Sequence, residues 1–241
     1  MLLDLLTGDQ SVRRSGTALI PYATFVQQFK AAPPGKLYCL HGTDTKVFRL
    51  PLYAASHALL KGIPVTLVDG TNRFDAYCIA EFARKVTSQG LVRQRVQPEQ
   101  LLERIFISRA FTCFQMEATI TERLPKFVKL AHSPIVIIFG LLDTFYDEQA
   151  PLYEVRASLQ RVIVALRGLK RENVSILLAS LDVQLASMER TRLFPTLKAA
   201  MDRVFYVTEN EKGQRIMYES QQDFGRMVGG SRTLNRKSKH L

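Results

Sequence analysis

The chain has 241 residues, 46% hydrophobic and 23% charged, which suits one α/β domain with short additions and is ample for a sizeable core. No apolar run approaches the ~20 residues that span a bilayer, and the opening MLLDLLTGDQ has an early acid and no basic stretch, so neither a membrane span nor a signal peptide is expected. The net charge of +11, from 33 basic and 22 acidic residues, attracts polyanions. Nucleic acid is the expected partner, ahead of an anionic membrane surface or an acidic protein. Cys39, Cys78 and Cys113 are odd in number and widely spaced. They fit neither a disulfide framework nor a metal ligand set and point to a reducing compartment: the cytoplasm, with nucleoid association, or the nucleus of a eukaryotic cell.

Residues 1–35 read as an N-terminal arm. Leu2, Leu3, Leu5 and Leu6 could form a short apolar helix, and Pro21 to Phe29 a second amphipathic turn or two, before Pro33-Pro34-Gly35 ends any helix. The core is expected over 36–224. KLYCLH is its first strand, and Arg49 to Lys61 a helix with Pro51 tolerated in the first turn. PVTLVD, at 64–69, is the second strand. Phe74 to Thr87 follows as a helix with Phe74, Tyr77, Cys78 and Phe82 facing the core. A short helix at Pro98 to Arg104 leads into the strand Ile105 to Ser108. A long helix from Phe111 to Ala131 should kink or break at Pro125.

Ser133 to Asp143, SPIVIIFGLLD, is the most informative stretch. Its apolar run does not alternate, so both faces must be buried, as in an interior strand of a parallel sheet. Tyr153 to Leu169 is a helix with Val155, Leu159, Val162, Ile163 and Leu166 on one face, and VSILLA at 174–179 is another buried strand. Gln184 to Arg192 is basic without a clear structure, and a short helix lies around Thr196 to Met201. Arg203 to Thr208 and Arg215 to Ser220 read as an antiparallel hairpin. The tail, 225–241, is Gly- and Lys/Arg-rich and is expected to be disordered. The fold class is therefore α/β, a mostly parallel doubly wound sheet with helices on both faces and a C-terminal hairpin.

Three stretches make this order of segments resemble the RecA/RadA recombinase core over about Lys36 to Ser220. They are Val68-Asp69-Gly70-Thr71-Asn72-Arg73-Phe74, then Arg104-Ile-Phe-Ile-Ser-Arg-Ala-Phe111, and Pro134 to Tyr146 with the helix and VSILLAS that follow. The resemblance implies a RecA-like fold and a nucleotide site after the first strand. There the chain has His41-Gly42-Thr43-Asp44-Thr45-Lys46-Val47, a degenerate form of GxxxxGK[ST]. Gly42, Thr43, Thr45 and Lys46 are its candidate nucleotide-binding residues. Matching Gly42 and Lys46 requires a two-residue deletion, and even then Thr45 replaces the second glycine and Val47 the metal-binding hydroxyl. The family's water-activating Glu falls on Thr71, its metal-side acid on Gly140, and its polar sensor near Ser180-Leu181. These losses together predict a pseudo-ATPase with no catalytic residues, no cofactor and no metal.

The resemblance also places a second DNA-binding loop between the sensor strand and the hairpin, where Arg190, Arg192, Lys198 and Arg203 lie. In the tail, Arg232, Arg236, Lys237, Lys239 and His240 suit phosphate neutralisation, which needs charge and no base-reading geometry. Solvated surface charge would read the same way. Phe29 and Ala32 match the FxxA pattern by which recombinases dock onto a neighbour, although the end of an amphipathic helix accounts for the same residues. His41, Asp69 and Asp182 stand at carboxyl ends of predicted strands, where a metal could be held but where polar residues are also common. The function expected is a non-catalytic recombinase paralog that binds DNA, a partner recombinase or both, or self-assembles. The alternatives are an ATP-binding regulatory protein without hydrolysis, and a small-molecule enzyme using the sheet edge.

Overall fold

A computed structural model describes residues 17–20, 25–26, 35–92, 94–183, 187–209 and 215–220. In it the run after Pro134 is strand β5, Ile135–Phe139, with every residue at 0% exposure. It pairs in parallel with β3, Val65–Asp69, on one side and β6, Ser175–Leu181, on the other. β2, Leu37–Gly42, lies beyond β6 and β4, Ile105–Arg109, beyond β3, both in parallel. The five strands expected to be parallel are parallel. β7, Arg203–Glu209, joins β2 in parallel and forms an antiparallel hairpin with β8, Arg215–Ser220. β1, Thr17–Ile20, closes the eight-stranded sheet in the order β1-β8-β7-β2-β6-β5-β3-β4.

Helices cover both faces. α1, Arg49–Leu59, and α2, Ala76–Ser88, share one apolar layer, to which α3, Pro98–Leu102, adds Leu101. The other layer holds α4, Cys113–Ala118; α5, Leu124–Leu130; α6, Leu152–Arg171; and α7, Leu193–Lys198. The chain runs outward from β2 to β4 with helices on one face, then back from β4 to β7 with helices on the other. Parallel strands require such crossovers, and reversing direction along the sheet moves the helices to the opposite face.

Local chemistry adjusts several expected elements. The Asp75 carboxylate accepts from Tyr77 N at 3.0 Å and Cys78 N at 3.4 Å, so α2 begins at Ala76 and not at Phe74. Its buried stripe is Cys78, Ile79, Phe82, Ala83 and Val86, and Tyr77, expected to face the core, is 80% exposed. Pro125 does divide the long helix. A π turn at Thr119–Arg123 separates α4 from α5. Proline lacks an N–H and its ring crowds the carbonyl four residues back, which a widened turn relieves.

Within the N-terminal arm, residues 17–20 join the sheet and 25–26 pack against it. TALI pairs antiparallel with β8, Thr17 opposite Ser220 and Ile20 opposite Met217, supplying partners to an otherwise open edge. Phe25 and Val26 are helical and buried, and the Phe25 ring meets Tyr38 at 6.2 Å and Phe205 at 5.2 Å, both edge-on. The expected turn around Leu2 to Leu6 and the tail 225–241 lie outside the described residues. Among the described residues no helix is long and apolar enough to cross a membrane. Phe25→Ala should lower stability by about 3–5 kcal/mol, read from urea unfolding. A loss below 1 kcal/mol would show the arm to be detached from the core in solution.

Candidate functional site at the carboxyl edge of the sheet

Ligands of doubly wound sheets sit beyond the carboxyl ends of strands where neighbouring connections leave to opposite faces. The strand order creates this condition between β2 and β6, between β5 and β3, and between β3 and β4.

The first of these edges carries the degenerate loop. Gly42 ends β2 beside β7, and a Cβ there would lie 2.2 Å from the Val207 carbonyl oxygen. Its lack of a side chain is thus accounted for by strand packing. Asp44 then caps the short turn Thr45–Phe48, its carboxylate accepting from Lys46 N at 2.7 Å. The Lys46 ammonium pairs with Glu209 and lies 3.5 Å from Asp44. The amide and cation that would serve a phosphate are engaged by the chain's own carboxylates. Thr43 and Thr45 are exposed.

Beside this loop His41, 7% exposed, meets Asp182 Oδ1 through Nδ1 at 2.8 Å. Its Nε2 is buried without a hydrogen-bond partner among the described residues, and its ring is flanked by Phe194 at 4.9 Å and Tyr206 at 5.3 Å. Burial pushes the Tyr146 phenol up, helped by the charges of Asp143 and Asp182. Ser180, at the expected sensor position, is 6% exposed, and its hydroxyl donates to the neighbouring Leu181 carbonyl at 3.4 Å.

The β3–β5 edge is packed shut. Asp69 is fully buried and its carboxylate accepts from the backbone N–H of Thr71 at 3.0 Å, Arg73 at 3.1 Å and Phe74 at 3.0 Å. It organises the turn into α2. Gly140, where the resemblance would put a metal-side acid, has φ of 60°, and a Cβ on it would lie 2.0 Å from the Thr71 methyl. A side chain at 140 is opposed both by its left-handed backbone and by Thr71. The next acid, Asp143, has a buried Oδ2 with no hydrogen-bond partner among the described residues, and burial raises its pKa, against a lowering by Arg73. His41, Asp69 and Asp182 do not form one ligand set: among the described residues no group of three or more His, Cys, Asp or Glu is arranged to hold a metal ion.

The basic residues separate into distinct roles. Arg190, expected to contact DNA, is 5% exposed and donates to the carbonyls of Phe145 at 2.8 Å and Ala150 at 2.5 Å. It braces the segment after β5 and is withdrawn from any surface role. Arg203 is held by Glu219 through two hydrogen bonds of 2.5 and 2.7 Å and lies 4.8 Å from the Phe205 ring centroid. Lys198 lies over Phe194 at 5.2 Å. Arg192 is exposed and lines a notch of about 320 Å³ with Arg156 and Gln160, residues the sequence reading did not single out. Arg232, Arg236, Lys237, Lys239, Phe29 and Ala32 lie outside the described residues.

The third crevice is covered by Met116, whose methyl would lie 2.8 Å from a Cβ on Gly70, but the outer side of β4, the edge strand, is open. A cavity of about 520 Å³ is lined there by Arg109, Phe111, Phe114 and Arg123 among others. The sequence signal for it is one of phase. Cys113, Met116, Ile120 and Leu124 take the buried side of the helical segment, which leaves Phe111 and Phe114 off that stripe.

No protein-family model matches the chain, and no curated protein is significantly similar to it.

Two outcomes test this geometry. Gly140→Ala should cost about 2 kcal/mol from left-handed strain and the Thr71 clash, and adding Thr71→Ser, which removes the opposing methyl, should restore part of it. The corresponding fall in Tm is roughly 4–8 °C for a chain of this size. Asp143→Asn is the second. A carboxyl whose folded pKa is raised contributes stability below its unfolded pKa and loses it as pH rises through the folded value. The Asn variant should match the parent in acid and become the more stable protein toward neutral pH, measured by Tm across that range. A pH-independent difference would show that Asp143 is not titrating in the fold.

Proposed function

We propose that this chain is a non-catalytic, RecA/RadA-like recombinase paralog that acts in DNA recombination or repair by binding DNA, a partner recombinase or both. The observation that carries the reading is the closure of the nucleotide position upon itself. Asp44 occupies the loop amide and Lys46 is paired with Glu209, so a phosphate would have to displace two internal carboxylates. The sheet supports the assignment of strands behind it. The resemblance gives β2 the phosphate loop, β6 the sensor and β5 the hydrolytic strand, and these lie side by side in the order β2-β6-β5. At the hydrolytic positions, Thr71 and Gly140 fill each other's space in place of an acid pair. Loss of hydrolysis then follows from packing as well as from missing groups. The +11 charge, with Arg192 and Arg156 displayed on one notch, favours a polyanionic partner.

A small-molecule site on the same edge has one observation in its favour: Asp182 orients His41, whose Nε2 is left without a partner among the described residues. DNA binding that survives His41→Ala separates the two readings.

Under the main reading, affinity for DNA should fall steeply with salt, with a log–log slope of about −0.7 to −0.9 per phosphate neutralised. Arg156→Gln and Arg192→Gln, with Gln at Arg232, Arg236 and Lys237, should flatten that slope and weaken all sequences alike. Arg190→Gln should act through stability instead. ATP turnover above a mock preparation, with DNA present, would overturn the non-catalytic assignment. An unchanged salt slope would assign the charges to solvent or to an acidic partner.

A further inference from the structure

We infer that the notch at the end of β4 is a stacking site for single-stranded nucleic acid, in which Phe111 and Phe114 carry bases and Arg109 and Arg123 hold the backbone phosphates. The inference rests on the DNA-binding reading and names a surface that the basic tail and the segment before β7 do not include.

Four observations converge. Phe111 and Phe114 are 59% and 49% exposed, although both sit within a few residues of fully packed core positions. An exposed phenylalanine separated from its like is unremarkable, but two lining the same cavity bring aromatic side chains to whatever enters it. Arg109 and Arg123 line that cavity too, and neither has a carboxylate partner among the described residues. The basic surface is thus interleaved with aromatics, the combination that tracks a single strand: cations for the phosphates and rings for any base.

The third observation is the size of the cavity. At about 520 Å³ and open to solvent, it falls in the range of small-ligand sites. The fourth is its place. The notch lies on the outer side of β4, the edge strand of the sheet, between Arg109 at the strand's end and the helical segment that follows. The three inner crevices are occupied by the chain itself, by the loop after β2, the Thr71–Gly140 contact and Met116 against Gly70.

The supporting walls are ordered. Phe111 N donates to Gln115 Oε1 at 3.0 Å, and Thr112 caps α4 by accepting from Gln115 N at 3.2 Å. The π turn carries Arg123 at its end. A duplex fits this arrangement poorly, since its bases are stacked on one another and present no free face. An acidic peptide could satisfy the arginines but would not require both rings.

The test is fluorescence anisotropy of a labelled oligo-thymidine of about 15 nucleotides, within the span that single-strand folds cover, with the full chain and a blunt duplex for comparison. Phe111→Ala and Phe114→Ala should each weaken the single strand by about 5- to 150-fold, from a stacking contribution of ~1–3 kcal/mol per base, and leave duplex binding and the salt slope unchanged. Arg109→Gln and Arg123→Gln should each reduce the salt slope by about 0.7. Photo-crosslinking of a bromodeoxyuridine oligonucleotide to the parent should mark the peptide that contains Phe111 and Phe114, which guards against variants that lose fold.

If the parent binds both DNA forms and the Phe variants bind as it does, with crosslinks elsewhere, the stacking site falls and the DNA-binding function stands. If the Arg variants alone lose affinity, the notch is an anion contact and the stacking role is overturned. If the parent binds no DNA in either form, the DNA-binding reading falls and this inference with it; capture of an acidic peptide by the same notch would then name its occupant.

Discussion

The rest of the fold depends on the burial of both faces of β5. A strand with no solvated side must pair on both edges and be covered by helices above and below, and β3 and β6 on its flanks inherit the same requirement. Once these strands run in parallel, each return must cross the sheet outside it, and all their carboxyl ends gather at one edge. Cys39 shows how dry the interior is. Burial pushes its thiol up to about 12, so the sulfur stays protonated and serves as packing.

That edge is built largely from polar groups used on the backbone. Asp69 satisfies three turn amides, Arg190 two carbonyls, and Asp44 one amide of the loop after β2. A buried amide or carbonyl left without a partner costs about 1–3 kcal/mol, so these side chains hold loops that would otherwise be unfavourable at a sheet edge. The same residue types would serve a metal or a phosphate elsewhere. Here their hydrogen-bonding capacity is consumed before a ligand arrives. His41 and Asp143 stand apart, each with a buried polar atom that no group among the described residues meets.

The sequence made β2, β3, β5 and β6 legible because two-sided burial writes an unbroken apolar run, as at Ile135 to Phe139; β4, apolar but half-exposed at the sheet edge, reads the same way. It made the face of α6 legible because Val155, Leu159, Val162, Ile163 and Leu166 recur at helical spacing, and all five are buried. Tyr77 was misassigned to the core because a single aromatic near the right phase looks apolar, while the Asp75 cap had set the helix start two residues later. β1 carries only four residues, too few for a period to show, and its existence depends on a partner some two hundred positions away. Arg190 was equally hidden: whether an arginine faces water or a pair of carbonyls is decided by the loop folded around it. The notch at Phe111 and Phe114 was legible only in part, as aromatics out of phase with Cys113 and Met116.

The charge of the chain is likewise better described by position than by sum. Arg49 meets Asp75 and Glu81, Arg161 meets Glu117, Lys170 meets Asp202 and Arg203 meets Glu219. Exposed pairs of this kind contribute at most about 1 kcal/mol each to stability. Their larger effect is to cancel the field locally, since a paired charge contributes little beyond the ~8–10 Å over which salt screens it. Arg109, Arg123, Arg156 and Arg192 have no carboxylate partner among the described residues and border two open notches. Arg84, Lys126, Arg167 and Arg171 are exposed and likewise outside these ion pairs, so the notches are two of several places where a polyanion would be attracted. Of the two notches, the one at β4 alone adds exposed phenylalanines, so unpaired arginines and aromatic side chains coincide there.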